Sequence, residues 1–494
     1  MEWDRKEALR YALSRNVQIS PAAFKILELV PIDKLEVVIK SAVQANKRER
    51  RAMITSEELE DYLGLKRDVG VKADLRVLSD PTGHITTGEG ADGYGALFVS
   101  RYEKLKRIVL ARPEGRRLKS CTGAAAGGGG GSGSGSGDGG GGGGGGGDTY
   151  VAGLVDHKEV RNGRGELRLE DPSGMLTVPV FNEDLQGEVG SLMRDQFVMV
   201  RLGWGKKGIY AKDVMQPDTP THTPNRSDTE AYAALLSDLH VGSKYFMEDE
   251  FEEFVTWLSE PDRVARSIRF VLLCGDVVDG VGIYKDQDKE LVLPVVEEQL
   301  GRLEELLAKI PEYVKIVIAP GNHDPGRRAL PQPAIPEKYC PGLWQRGNIT
   351  MVGNPAIVSL NGVRVLMFHG QSIDDIVRVT PGLSYDGPAE VMRHLLRARH
   401  LSPIYGGKTT PIAPESEDWM VIEENVDIFH AGHVHRWAVD SYRGTLIVNS
   451  GAWQRQTPFQ MSVGVVPTPG IATVVNLKTL KVSQWTARGG AEPG

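Results

Sequence analysis

The sequence predicts a multi-domain chain in which an N-terminal helical module and a small antiparallel β-barrel precede a large layered α/β sandwich. Three observations predict it. A stretch from Gly123 to Gly147 is almost pure glycine and divides the chain. Five short strand-like segments follow, between Tyr150 and Val214. From about Ala231 to Trp485, apolar runs alternate with helical patterns, as in a layered α/β domain.

Composition sets the outer bounds. With 494 residues, 40% hydrophobic and 25% charged, the chain has room for about three domains. The net charge of -7 argues against a protein that grips nucleic acid over its whole surface, and leaves a local basic groove or a partner to supply affinity. Cys121, Cys274 and Cys340 are far apart and form no CxxC pair, which points to a reducing compartment without disulfides or a cysteine zinc site. The acidic start, Met1-Glu2-Trp3-Asp4, does not read as a secretory signal. No apolar run approaches the roughly 20 residues of a membrane span. A cytoplasmic location without membrane contact is the expectation.

Residues 1–65 carry helical periodicity through Ala8, Leu9, Ala12 and Leu13, then Phe24, Ile26 and Leu27, then Leu35, Val38, Ile39 and Val43. Ser20 before Pro21 is an N-cap signal, and Thr55 with Glu58 is a capping box. This module is expected to pack or to dock a partner. Residues 66–149 form a connector: the pattern weakens and glycine rises up to Gly93, so poor order is expected there. An amphipathic stretch through Leu97, Tyr102, Leu105 and Val109, with Lys104, Lys106 and Arg107 opposite, then reads as a docking segment or as an edge element of a neighbouring domain. The glycine tract behaves as a flexible linker whose ends lie on the order of 25–30 Å apart.

Residues 150–216 read as five strands, Tyr150–Val155, Glu166–Leu169, Met175–Phe181, Phe197–Leu202 and Ile209–Val214, with a short helix beginning at Asn182 before the fourth. Five strands with a helix between the third and fourth is the pattern of an OB-fold domain. Trp204, Lys206, Lys207 and Tyr210 could stack and grip a single strand, but the acidic residues Glu166, Glu170, Asp171, Glu183 and Asp184 favour protein docking.

Residues 228–494 carry the chemistry. Five apolar runs end in metal- or phosphate-handling groups: Ser237-Asp238-Leu239-His240, Gly275-Asp276, Gly321-Asn322-His323-Asp324, His369-Gly370, and His430-Ala431-Gly432-His433-Val434-His435. Each alone reads as a turn, a cap or a hydrogen-bonded loop. Five in order, each after an apolar strand, can converge on one edge of a sandwich. Mixed carboxylate, imidazole and amide ligands suit Mn, Fe or Zn better than Ca or Mg. Two ions roughly 3.5–4 Å apart would need one bridging carboxylate and would clamp the attacking and leaving oxygens of a phosphoester. Arg393, Arg397, Arg399 and Lys408, on a helix from Pro388 to about Arg399 and its following loop, read first as a solvated face and second as a groove for a DNA backbone.

These motifs resemble those of the calcineurin-like metallophosphoesterases, with the pattern D-x-H, G-D-x-x-D, G-N-H-D/E, a lone His, and G-H-x-H. The resemblance implies that Asp238, His240 and His435 hold one metal ion, that Asn322, His369 and His433 hold the other, and that Asp276 bridges them. It implies His323 as the catalytic imidazole with Asp324 orienting it, and it leaves Asp279 and His430 to supporting or packing roles. The stretches His369-Gly370-Gln371-Ser372-Ile373-Asp374-Asp375, Arg399-His400-Leu401-Ser402-Pro403-Ile404-Tyr405-Gly406, Ser450-Gly451-Ala452-Trp453-Gln454 and Gln456-Thr457-Pro458-Phe459-Gln460 further resemble the small subunits of the archaeal family D DNA polymerases. That resemblance implies a 3'–5' exonuclease that proofreads for a separate large polymerising subunit. It would act on single-stranded or mismatched DNA 3' ends with two divalent transition metal ions, manganese being typical. Two other readings belong to different classes: a catalytically silent structural subunit, and a phosphatase of the same superfamily.

Overall fold

The computed structural model describes residues 4–487 and 490–493, apart from 28–29, 31, 49–51, 57–58, 60–71, 127–147, 207, 261 and 463. Residues 127–147 of the expected glycine linker, the capping residue Glu58 and Lys207 lie outside the described residues, whereas the first four residues of that linker, Gly123 to Ala126, are helical and close the helix Cys121–Ala126.

Two sheets face each other in the C-terminal half. One has seven strands in the order Ile349–Met351, Lys315–Ala319, Ile268–Cys274, Tyr232–Leu236, Ile471–Asn476, Val482–Thr486 and Gly490–Pro493, and its first four run parallel. The other has six, in the order Ala438–Tyr442, Thr445–Asn449, Ile428–Ala431, Val363–Met367, Ala356–Leu360 and Leu75–Ser79. Alternation of side chains along each strand explains the layering. Ala233, Leu235, Phe270, Leu272 and Val317 point inward and meet Val358, Val365, Ile428 and Val448 of the opposite sheet. Ala234, Leu236, Val271, Leu273, Ile316 and Ile318 point outward, beneath Phe251, Phe254, Leu303 and Leu307 of the helices Glu248–Trp257 and Val296–Ala308. Helices Ile373–Val379 and Pro388–Ala398 cover the other sheet through Ile376, Val391 and Leu395. Strands buried on both faces read as continuous apolar runs, and that is why they stood out in the sequence.

A six-stranded sheet precedes this sandwich, with the two-residue strand Leu118–Lys119 paired parallel beside Thr149–Arg161 and five antiparallel strands in its main path. Its order is Gly174–Val180, Arg164–Asp171, Thr149–Arg161, Phe197–Gly205 and Gly208–Met215, and the first and last of these strands also approach each other. The helix Glu183–Ser191 lies between the third and fourth strands in chain order, capped by Asn182, whose side chain accepts from the Leu185 amide. Further upstream, helices Arg5–Ser14, Pro21–Leu27 and Ile32–Arg48 pack around Ala8, Leu27, Leu35 and Ile39. Two-residue strands Gln18–Ile19 and Met53–Ile54 pair beside them.

The connector departs from expectation. The described part of 66–149 is not a poorly ordered tether. Strand Leu75–Ser79 joins the edge of the six-stranded sheet against Ala356–Leu360, and the 21-residue helix Gly90–Leu110 lies between barrel and sandwich. Fully buried Arg101 on that helix donates to Asp418 at 2.7 Å and to the carbonyls of Pro403 at 2.6 Å and Asp195 at 3.3 Å. Tyr102 packs on Phe197. The amphipathic stretch therefore docks within its own chain. The local pattern was too short and too glycine-rich to show this, because its partners lie some 300 residues away.

Candidate metal centre

The ends of the parallel strands put the five motifs at one edge. Strands Tyr232–Leu236, Ile268–Cys274 and Lys315–Ala319 deliver Asp238 and His240, Asp276, and Asn322 with His323 and Asp324. Strands Val363–Met367 and Ile428–Ala431 of the facing sheet deliver His369, His433 and His435.

Atoms of Asp238, His240 and His435 form one group able to hold a cation, and atoms of Asp276, His369 and His433 form a second. His435 Nε2 lies 3.4 Å from Asp238 Oδ1 and 3.1 Å from His240 Nε2. Asp276 Oδ2 stands between the groups, 3.9 Å from His240 Nε2 and 3.2 Å from His369 Nε2. Asn322 Oδ1 is 3.1 Å from His369 Nε2. The outer nitrogens are tied to protein: His369 Nδ1 donates to the Cys274 carbonyl at 2.8 Å, His240 Nδ1 is 2.9 Å from Asp279 Oδ1, and His435 Nδ1 is 2.8 Å from the Gln460 amide. Such supports fix ring orientation and leave Nε2 facing the centre.

The backbone is bent to make this edge. Asp238, His240, Asp276, His433 and His435 all have positive φ, between 49° and 69°. Each such residue costs on the order of 1–3 kcal/mol and persists only where its surroundings over-determine it. Glycines supply close approach: a Cβ on Gly321 would sit 2.2 Å from Asp276 Oδ1, and one on Gly432 2.3 Å from Asp238 Oδ2. The glycines of the Gly-Asn-His-Asp and Gly-His-x-His motifs thus make room for carboxylates.

A cation fits this donor set. Asp238 Oδ1 is buried, with only the long 3.4 Å approach of His435 Nε2 and no well-formed hydrogen bond among the described residues, so a ligand there would relieve part of the cost of burying it, about 1–3 kcal/mol for an unsatisfied group. Burial opposes ionisation of Asp276, yet the His369 and His323 imidazoles hold its carboxyl well below the usual range. Burial likewise opposes protonation of His369, and the Asp276 carboxylate outweighs it, taking the ring to about 10. Carboxylates that draw protons onto neighbouring imidazoles mark a site short of positive charge.

The family of DNA polymerase alpha/epsilon B subunits matches residues 233–436. The DNA polymerase II small subunit of Archaeoglobus fulgidus is 37% identical over 406 residues, spanning 81% of this chain and 78% of its own. That of Methanothermobacter thermautotrophicus is 36% identical over 458 residues, spanning 88% and 90%. The chain belongs to the archaeal DNA polymerase II small-subunit family. A solved structure described as a novel archaeal phosphodiesterase aligns with 52% of this small-subunit chain and 99% of its own, at 10% identity and a TM-score of 0.27, a likeness too weak to carry an argument.

Asp324 does not sit where the motif places it. Its carboxylate accepts from the amides of Gly321 at 2.8 Å, Val278 at 3.1 Å and Val277 at 3.3 Å, and it makes no hydrogen bond to His323 among the described residues. Burial and the charge of Asp276 push it up to about 7. It pins the two loops together. His323 is oriented instead by the Asp279 carbonyl, to which its Nδ1 donates at 2.8 Å, while its own amide donates to Asp276 Oδ1 at 2.8 Å. An adjacent carboxylate is an obvious candidate in a linear sequence, whereas a carbonyl 44 residues away carries no sequence signal.

Other residues of this small-subunit site had no assigned role. Asp374 Oδ2 is 3.3 Å from His433 Nε2, and Gln460 supports His435. Both lie in stretches singled out in the sequence, but only folding shows what they touch. His430, expected to pack, places Nε2 2.8 Å from the Ser450 hydroxyl. The basic set lines no part of the cavity above the ligands: Arg393 pairs with Glu390 and Asp440, and buried Arg399 donates to the Glu423 carbonyl and Asn425. The cavity, about 760 Å³, takes its cations from Arg328 and Arg378 instead. Among the described residues no helix is long and apolar enough to cross a membrane.

Proposed function

We propose that this chain is the 3'–5' exonuclease subunit of a two-subunit archaeal replicative DNA polymerase, trimming single-stranded or mismatched 3' ends while docking the large polymerising subunit. One observation carries this reading: every ligand position of the five motifs is filled and gathered at one edge, in a chain whose relatives are polymerase subunits. Asp238, His240 and His435 would hold one divalent transition metal ion, Asn322, His369 and His433 the other, with Asp276 between them; manganese is favoured, and iron or zinc suits the same donors. When bound, the two ions supply charge neutralisation and Lewis acidity at the scissile phosphate.

The protein's own residues do the rest. With Nδ1–H committed to the Asp279 carbonyl, His323 presents Nε2 to the cavity; burial lowers its pKa against the pull of the Asp276 carboxylate, so Nε2 must take up a proton from solvent before it can pass that proton to the departing 3'-oxygen. Asp324 acts through the backbone, holding the loop that bears Asn322 and His323 against the one that bears Asp276. The cavity side chains exclude water from the leaving group and keep the strand end in place. The calcineurin-like layering of the sandwich and the OB-like strand order of the barrel suit a nuclease core carried on a docking module.

The test is manganese-dependent trimming of a labelled single-stranded 3' end by the purified chain, alone and with its large subunit. His323→Ala should abolish trimming while metal content stays at the wild-type value. Absence of trimming by wild type in both states would leave a silent structural subunit, and preference for a phosphomonoester over a DNA end would leave a phosphatase.

A further inference from the structure

The cavity over the ligand cluster has an aromatic wall that hydrolysis of a phosphodiester does not by itself require. Phe459, on the short helix Pro458–Ser462, is 57% exposed. Tyr284 covers it, with ring centroids 6.1 Å apart and planes 24° from parallel. The Tyr284 hydroxyl donates to Glu290 at 2.9 Å, which fixes the ring, and its centroid lies 6.3 Å from that of His323. Three rings thus step outward from the imidazole beside the ligands to the cavity rim. Arg328 lines the same cavity, is exposed, and has no hydrogen-bond or ion-pair partner among the described residues.

We infer that the Tyr284–Phe459 pair is the platform on which the unpaired base of a DNA 3'-terminal nucleotide stacks, with Arg328 meeting a neighbouring phosphate; this rests on the nuclease reading above. A flat aromatic ring more than half exposed beside a polar cavity meets its natural complement in a nucleobase. Every base offers a π-face, so stacking holds a strand end without reading its sequence. A base inside a duplex has both faces covered and must first be unstacked, at least cost where it is mismatched or single-stranded. The ligand cluster handles only phosphate and cannot make that distinction. The aromatic wall supplies it, placing the choice of unpaired ends at Phe459 rather than at the metal ligands.

The experiment uses the full chain and a single-stranded oligonucleotide with 2-aminopurine as its 3'-terminal base. In EDTA, wild type should quench the fluorophore on binding, Phe459→Ala should lose most of the quenching, and Phe459→Trp should keep it. With manganese, Phe459→Ala should lower kcat/KM about 10- to 100-fold on an ordinary 3' end, the range of stacking on one aromatic side chain. On a 3' end lacking its terminal base, the rate should not change. Arg328→Gln should weaken both ends alike and flatten the salt dependence. Because neighbouring Gln460 touches His435, metal content is measured for each variant, and Phe459→Leu serves as a variant that keeps the packing. Unaltered quenching in Phe459→Ala, or an equal loss on the baseless end, overturns the platform. Loss of large-subunit binding with quenching intact overturns it too, by assigning Phe459 to a protein contact. Trimming by wild type without quenching removes the platform and spares the nuclease, whereas quenching without any trimming removes the nuclease and spares the platform as a binding site.

Discussion

Two buried polar clusters in this chain, the ligand edge of the sandwich and the junction around Arg101, are built from the same residue types and differ in their charge balance. At the junction, Arg101 and Asp418 neutralise each other, and His400, 3.0 Å from Asp418, stays uncharged: burial and the charge of Arg101 take its ring down to about 4. At the ligand edge the ionisable neighbours of the carboxylates are imidazoles, His435 3.4 Å from Asp238 and His369 3.2 Å from Asp276, while the backbone amides of His433 and His323 donate to the same two carboxylates. There His369 is driven the opposite way, to about 10. A cluster that closes its own charge holds a fold together. One that leaves carboxylates short of positive charge, on a backbone bent into the left-handed region five times, is shaped for something the chain does not contain.

The sharpest way to break that comparison is to remove one group on each side. His323→Ala should cost about 10²–10⁴-fold in trimming, the span of a general acid or base, with thermal stability and metal content unchanged. Asp276→Asn should lose metal uptake as well, measured by elemental analysis. Arg101→Met should do the reverse, lowering unfolding free energy by about 3–5 kcal/mol because it strands Asp418 in the interior, with metal content unchanged. If Arg101→Met is neutral in chemical denaturation, the junction does not fasten barrel to sandwich.

Metal should separate the clusters next. With a divalent ion at about 100 times its dissociation constant, the folded state gains about 2.7 kcal/mol, seen as a rise in Tm. EDTA should abolish that rise in wild type, and Asp276→Asn should not show it at all. Arg101→Met should keep the full rise on a lower baseline. An equal loss of the rise in both variants would mean that the clusters are coupled.

The comparison also explains what is legible in the sequence. The ligand edge is readable because each ligand follows an apolar strand, and both repeat five times in order. The succession of five antiparallel strands is readable because turn residues such as Asp171 to Gly174 punctuate short alternating strands. The junction is not: Arg101 looks like any charged helix residue, and only its contacts with Asp195, Pro403 and Asp418 reveal burial. Strand Leu75–Ser79 escapes notice for a related reason. It is an edge strand with Val77 and Leu78 exposed, so it lacks the apolar run that a central strand shows, and its sheet is formed from chain far downstream. The role of Asp324 is hidden because adjacency in sequence suggests a contact with His323 that the turn does not make.

The last effect concerns pH and rests on His400 and His430. Burial takes His430 down to about 3, and His400 sits at about 4, both below the ordinary value of 6.5. The folded chain therefore keeps these rings neutral while the unfolded chain protonates them. Stability should be at its full value above about pH 6.5 and should fall as pH drops from there towards about 4, by up to about 1.4 kcal/mol per pH unit for each ring. Asp418, held low by His400 and Arg101 against burial, adds its own loss only below the ordinary carboxylate range. Denaturant unfolding of the metal-free chain at about pH 7, 6 and 5 checks this. Asp324, pushed up to about 7, takes up its proton in the folded chain over the same interval and opposes this loss. The decisive comparison is therefore wild type against His400→Gln: an identical pH slope in both would mean that His400 does not stay neutral in the fold, and the junction would then lack the charge balance that distinguishes it from the ligand edge.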